Sequence, residues 1–231
     1  MLHLTHAHRL GKIMHNLLNQ ISLYPAFIFD MDGTLINSEI WHHKAWNHMV
    51  QEFGCPPLSD ETLIAYGGLP TAVISQKVID THNLSASVEQ MSKRKTDLYL
   101  NEYMPKAEPF PFFDDLLKEL SASGKRIAVA TSSHQKEARY LLEKNGLMPY
   151  IHALVTGEMV QKGKPNPDIY LLAAHKLNVE AHDCLVFEDT IVGMAGCKNA
   201  HMSGIKVFDG AFDCDHIISP DELYEPREHL L

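Results

Sequence analysis

Cysteine is scarce and scattered. Cys55, Cys184, Cys197 and Cys214 form no CxxC pair and no other ligand spacing, which excludes a disulfide framework and a thiolate metal site and predicts reduced thiols in a cytoplasmic setting. Long apolar runs are also missing. The best stretches, Ala26 to Phe29 and Ile127 to Ala130, stop after a few positions, far short of the roughly 20 residues that span a bilayer. Positive charge is in deficit, with 20 Lys+Arg against 29 Asp+Glu and a net charge of −9. No general attraction for a phosphate backbone follows, so nucleic acid is not an expected partner, and a small anionic ligand needs positive charge placed locally. No internal repeat or low-complexity tract is present. A monomer or weak dimer is the expectation.

What the chain does have is material for a core. Its 231 residues are 45% hydrophobic and 21% charged, ordinary for a globular protein of one large domain or two small ones. Residues 1–23 carry Arg9, Lys12 and four histidines, His3, His6 and His8 among them, but no acid. They are read as an N-terminal extension with no assigned role.

The main periodic signal is a set of short, continuously apolar runs, each followed by a polar or glycine-containing turn and then a helix-period segment. They are Ala26–Asp30, Arg126–Thr131, His152–Thr156, Cys184–Glu188 and Ile205–Phe208. Such runs predict strands of a mainly parallel sheet covered by helices on both faces, a three-layer α/β/α fold. Four of the five end on Asp, Thr, Thr or Glu. Ligands of open α/β sheets bind outside the carboxyl ends of the strands, so these polar ends are candidates for one shared site. From Ser38 to Glu108 no strand-like run occurs. Trp41, Ala45, Trp46, Met49, Val50 and Phe53 recur at helical steps, as do Ala72, Val73, Val78 and Ile79, then Val88, Met91, Leu98 and Tyr103. These stripes predict an all-α cap at 38–108 inserted into a discontinuous core of 24–37 and 109–231, with Pro105, Pro109 and Pro111 marking the return.

Four segments carry chemistry. Asp30-Met31-Asp32-Gly33-Thr34 follows the first strand. Two acids at i and i+2 can point to the same side, Gly33 lets the chain turn tightly behind them, and their repulsion is relieved by a divalent cation, for which an oxygen-only donor set suits Mg²⁺. Thr131-Ser132-Ser133 ends the next strand at a helix start, where a hydroxyl and free N–H groups can cradle phosphate, although a plain helix cap is the simpler reading of this segment alone. In Lys162-Gly163-Lys164-Pro165-Asn166-Pro167, the prolines stiffen the chain around Lys164, whose ammonium can offset an anionic transition state, while Lys162 reads as solvated. Glu188-Asp189 closes a further strand before Thr190 and Gly193; these acids can complete an oxygen cage.

In this order, each at a strand end, the four segments resemble the haloacid dehalogenase superfamily of phosphotransferases, over nearly everything from Ala26 to Ile218. The resemblance implies a Rossmann-like core, and the insertion is similar to the small helical cap of the β-phosphoglucomutase and sugar or polyol phosphatase subgroup. It implies that Asp30 is the nucleophile forming an aspartyl-phosphate, Asp32 the general acid/base, Thr131 a phosphoryl ligand and Lys164 a charge balance. Gly33 and Ser132 would join Thr131 and Lys164 around the phosphate. Mg²⁺ would be held by Asp30, the Asp32 carbonyl and Asp189, with Glu188 in or next to that shell.

The resemblance also places substrate contacts on the stretch after the first motif and on a cap loop: Ser38, Glu39, His42 and Trp46, then Gly68 and Thr71 within Ala65–Thr71, then Lys95. His42 lies one helical turn from both Ser38 and Trp46, so the three can share a face. Where the β-phosphoglucomutases use a cap arginine on a distal phosphate, this chain has Pro70 or Thr71, and Asn37 stands where many relatives carry an acid. The expected function is hydrolysis of a small phosphorylated metabolite, a sugar or polyol phosphate. A hexose-phosphate mutase is the alternative, to which Lys95 points, and a non-catalytic binding module is a third reading, although no position of the four segments has been lost.

Overall fold

The computed structural model describes residues 18–67, 69–212 and 217–222. Gly68, Cys214 and residues 1–17 of the 1–23 extension, including His3, His6 and His8, lie outside the described residues. Among those described, no helix is long and apolar enough to cross a membrane. The chain divides into two compact units, one of residues 1–36 with 109–231 and one of residues 37–108.

The first unit is built on β1 (Ala26–Phe29), which is buried at every position. It lies at the middle of a six-stranded sheet with β2 (Arg126–Thr131), β3 (Ala153–Thr156), β4 (Cys184–Glu188), β5 (Ser203–Phe208) and β6 (Ala211–Phe212), in the order β3-β2-β1-β4-β5-β6. The first five strands run parallel. The antiparallel β6 is an addition to the five expected strands. Asp209 and Gly210 between β5 and β6 both have positive φ, a hairpin turn that a two-residue strand does not announce by any periodicity.

The second unit is helical. It comprises α1 (Glu39–Glu52), α2 (Asp60–Ala65), α3 (Thr71–His82) and α4 (Val88–Leu98), closed by a π-helical turn at Tyr99–Tyr103 and a 3-10 turn at Met104–Lys106. Ser59 caps α2, and Ser87 with Gln90 forms a capping box on α4, satisfying amide groups that a helix start leaves without partners. Its core takes Ala45, Trp46, Met49, Val50, Leu63, Ile74, Val78, Met91 and Leu98. The stripe expected on α3 holds at Val78 but not at its start: Ala72 and Val73 face solvent, and Ile74 and Ser75 are buried in their place. A buried serine broke the apolar pattern there, and its Oγ is satisfied by Ser92 Oγ at 3.0 Å.

The remaining helices, α5 (Pro111–Ala122), α6 (Gln135–Lys144), α7 (Asp168–Leu177) and α8 (Ile191–Asn199), belong to the first unit. Alternation along β1 separates two packing surfaces. Ala26 and Ile28 join Ala128, Ala130, Val155 and Val186 under Ile169, Tyr170 and Ala173 of α7. Phe29 stacks on Phe187 at 4.8 Å and meets Phe113 of α5 edge-on at 6.1 Å. Small side chains let α7 approach closely on one face while aromatic rings fill the other. The sheet therefore holds the carboxyl ends of β1, β2, β3 and β4 side by side.

Candidate active site

The backbone ladder continues one residue past β1, where Asp30 N donates to Phe187 O at 2.9 Å. That bond fixes Asp30 beside the end of β4. Lys164 Nζ donates to Asp30 Oδ1 at 2.5 Å and to Glu188 Oε2 at 2.7 Å. The lysine and Asp30 side chains are only 7% and 8% exposed and Glu188 is fully buried. A buried ammonium shared by two carboxylates is a strong charge-assisted arrangement, because low local dielectric magnifies the attraction and each partner offsets another's desolvation.

Glu188 is the most completely bonded of these acids. Its Oε1 accepts from Thr190 N at 2.9 Å and Thr190 Oγ1 at 2.6 Å, and its Oε2 also accepts from Tyr170 OH at 2.8 Å. There is no room around it: a Cβ on Gly193 would lie 2.0 Å from its carboxyl carbon. Burial works to raise its pKa, but Lys164 and the Thr190 bonds outweigh that and hold the carboxyl below its usual range. Asp30 goes the other way. Burial, reinforced by Glu188, Asp189 and Asp32, pushes its carboxyl well above the usual range against the opposing pull of Lys164. Burial also works to lower the Lys164 ammonium, yet Asp30 and Glu188 prevail and hold it well above the lysine norm.

Asp189 completes an acidic group. One oxygen each from Asp30, Glu188 and Asp189 lies within 4.8 Å of the others. Thr34 Oγ1 donates to Asp189 Oδ1 at 3.2 Å. Gly33, with φ +78°, brings its backbone so close that an added Cβ would sit 2.3 Å from Asp189 Oδ2, so glycine is required there for both conformation and space. An oxygen-only set in which Glu188 and Asp189 both push the Asp30 carboxyl upward fits a hard divalent cation. Lys206, opposite Glu188 in the β4–β5 register, is a second buried ammonium nearby. Burial lowers its pKa against the attraction of Asp189 and Glu188, so positive charge beside the acids is not confined to Lys164.

Asp32 faces a different set of partners. Its Oδ2 accepts from Ser133 Oγ at 2.6 Å and Thr131 Oγ1 at 3.3 Å, while Thr131 Oγ1 accepts from Ser133 N at 3.0 Å. Its carboxylate is thus outside the three-carboxylate group and is held by hydroxyls from the β2 end. The sequence expectation named Ser132 in this turn; Ser132 is exposed, and Ser133 supplies the hydroxyl. Neither serine caps α6, whose N-cap is His134. Nor does Thr156, the β3 threonine paired in register with Thr131, join this network: its Oγ1 is buried without a hydrogen-bond partner.

In the helical unit, Lys95 Nζ donates to His42 Nδ1 at 2.8 Å, and the His42 ring stacks on Tyr99 with centroids 3.7 Å apart. The ammonium also lies 5.0 Å from the Tyr99 ring and 5.4 Å from the Trp46 ring. Burial, then Lys95 and His43, pushes His42 well below its ordinary pKa, so it is neutral and can accept. Ser38 is buried at the start of α1. Glu39 turns to His43 at 3.8 Å, and Thr71 is the first residue of α3. His42, Lys95 and Trp46 are therefore brought together.

Residues 27–207 match the haloacid dehalogenase-like hydrolase family. The chain is 34% identical over 185 residues to the fructose-1-phosphate phosphatase YqaB of Escherichia coli, covering 80% of this chain and 96% of that protein. It is 28% identical over 201 residues to the β-phosphoglucomutase of Bacillus subtilis, covering 80% and 84%. The crystal structure of a HAD hydrolase, family IA, variant 3, from Entamoeba histolytica superposes with a TM-score of 0.69 at 27% identity, covering 80% of this chain and 84% of that one. Matched from β1 to β5, with the acids, the lysine and the hydroxyls of the four segments gathered at one sheet edge, the chain belongs to the haloacid dehalogenase-like hydrolase family.

Proposed function

We propose that the protein is a Mg²⁺-dependent phosphatase of a small sugar or polyol phosphate. The observation that carries this reading is the division of labour between two aspartates two residues apart: Asp30 lies against Lys164 and the acidic group, while Asp32 is turned to Thr131 and Ser133. A nucleophile and a proton donor need such different surroundings.

Asp30 and Asp189 would hold the cation, with the Asp32 carbonyl completing the protein donors and Glu188, already saturated by Lys164, Tyr170 and Thr190, standing behind them. When bound, Mg²⁺ supplies neutralising charge for the phosphoryl oxygens and for the acidic group. The Asp30 carboxylate attacks phosphorus, the ester P–O bond breaks, and Asp32 gives its proton to the departing alkoxide. Water then attacks phosphorus of the aspartyl-phosphate, Asp32 takes its proton, and inorganic phosphate leaves as Asp30 is regenerated. Thr131 and Lys164 contact the phosphoryl group throughout. The helical unit at 37–108 would act as the cap, with His42 and Lys95 meeting the substrate's sugar or polyol portion.

The similarity to the fructose-1-phosphate phosphatase YqaB supports a phosphorylated sugar as substrate class. The test is phosphate release from hexose, pentose, polyol and nucleoside monophosphates, with and without Mg²⁺. The His42–Lys95 pair favours one second reading, a hexose-phosphate mutase. It requires interconversion of glucose 1-phosphate and glucose 6-phosphate with a bisphosphate primer; phosphate release without interconversion rejects it.

A further inference from the structure

Helix α6 begins right after the turn that holds Asp32, and its own N-cap residue does not cap it: His134 is extended, with φ −68° and ψ 147°, and makes no side-chain cap bond. The bond comes from the end of another strand. Glu158 Oε2 accepts from Gln135 N at 2.9 Å, and Glu158 Oε1 accepts from His134 Nδ1 at 3.0 Å. One residue earlier the two strand ends touch through backbone, since a Cβ on Gly157 would lie 2.8 Å from Ser132 O. The Thr131–Ser133 turn is thus gripped on both sides by the 3-10 turn Gly157–Met159 that follows β3.

We propose that Glu158 is a positioning residue for the reaction: by clamping the first turn of α6 it fixes the Thr131–Ser133 turn, and through Ser133 Oγ and Thr131 Oγ1 it holds the Asp32 carboxyl in place. This inference rests on the phosphatase reading for its kinetic consequence. Helix capping by a carboxylate is an ordinary device; its consequence here follows from what the capped turn carries. The residue touches neither the acidic group nor the phosphoryl position, so it acts only through the turn.

The predicted signature is selective. Asp32 is needed to protonate an alkoxide but not a good leaving group, so loosening the turn affects alkyl and aryl phosphates differently. Glu158→Ala is compared with wild type on a sugar phosphate and on p-nitrophenyl phosphate. We expect kcat/KM for the sugar phosphate to fall roughly fivefold more than for the aryl ester. Glu158→Gln, which keeps an acceptor for Gln135 N–H, stays within about twofold of wild type on both. Amide hydrogen exchange supplies a readout independent of activity: in Glu158→Ala, exchange at Ser133 and through the first turn of α6 accelerates while β1 and β4 keep their protection. An equal fall on both substrates, a glutamine variant as impaired as alanine, or unchanged exchange at Ser133 overturns the proposal. Absence of phosphate release by the wild-type protein instead overturns the phosphatase reading, and the exchange result still decides the role of Glu158.

Discussion

Ser133 Oγ lies 2.6 Å from Asp32 Oδ2. This bond joins the ends of β2 and β1 and gives the second aspartate surroundings unlike those of the first. Replacing Ser133 by alanine removes the shorter of the two hydroxyl bonds to Asp32. A hydrogen bond to a charged group contributes about 1.5–3 kcal/mol, so kcat for an alkyl phosphate should fall roughly tenfold or more, with little change in Tm. Steady-state kinetics beside thermal melts check this.

Lys164 bridges two buried carboxylates, and its loss should cost both stability and activity. Breaking a buried ion pair costs about 3–5 kcal/mol when the partner charges are left behind. In Lys164→Met, denaturant unfolding should show a loss of that order. Adding Glu188→Gln should restore part of the stability, because one stranded charge is removed, yet no activity, because the ammonium at Asp30 is still missing.

Gly33 allows neither a left-handed alanine without strain nor a Cβ against Asp189. Gly33→Ala should therefore displace Asp189 from the acidic group and weaken Mg²⁺ binding at least tenfold, the factor corresponding to about 1.4 kcal/mol. Calorimetric titration with Mg²⁺ measures it.

His42 gives the helical unit a pH dependence of known sign. The folded protein holds this ring well below its ordinary value of 6.5. An unfolded chain therefore takes up a proton just below that pH which the folded chain does not. Stability contributed by the neutral ring is complete above 6.5 and is lost as pH falls below it. Between about pH 7.5 and pH 5.5 the unfolding free energy should drop by roughly 1 kcal/mol more in wild type than in His42→Gln.

Much of this architecture was legible in the chain itself. The five parallel strands announce themselves because strands buried on both faces are apolar at every position, and the helical insertion because it contains no such run. The pairing of Asp30 with Lys164 and the place of Asp189 follow from motifs at strand ends. What stayed hidden are polar residues that resemble caps or core. Ser133 lies in a segment that reads as an ordinary helix start; Thr190 does cap α8 but also bonds Glu188, as does Tyr170, which carries no motif. Glu158 carries no motif, and its role depends on which strands are neighbours. On α3, Val78 lies on the expected face, but Ile74 and a buried serine, Ser75, take the places expected of Ala72 and Val73. Tyr99 stacks on His42 from beyond the end of α4, where helical spacing no longer predicts a partner.

If Asp30 is a nucleophile working with a divalent cation on a small phosphate ester, its replacement and the removal of the cation must each abolish turnover. Both are measured by phosphate release from a panel of sugar and polyol monophosphates, for wild type and Asp30→Asn, with Mg²⁺ and with a chelator. Turnover is expected only from wild type with Mg²⁺, and at least a thousandfold less from Asp30→Asn, a factor of about 4 kcal/mol in the barrier. Equal phosphate release by wild type and Asp30→Asn, or undiminished release in chelator, would contradict it.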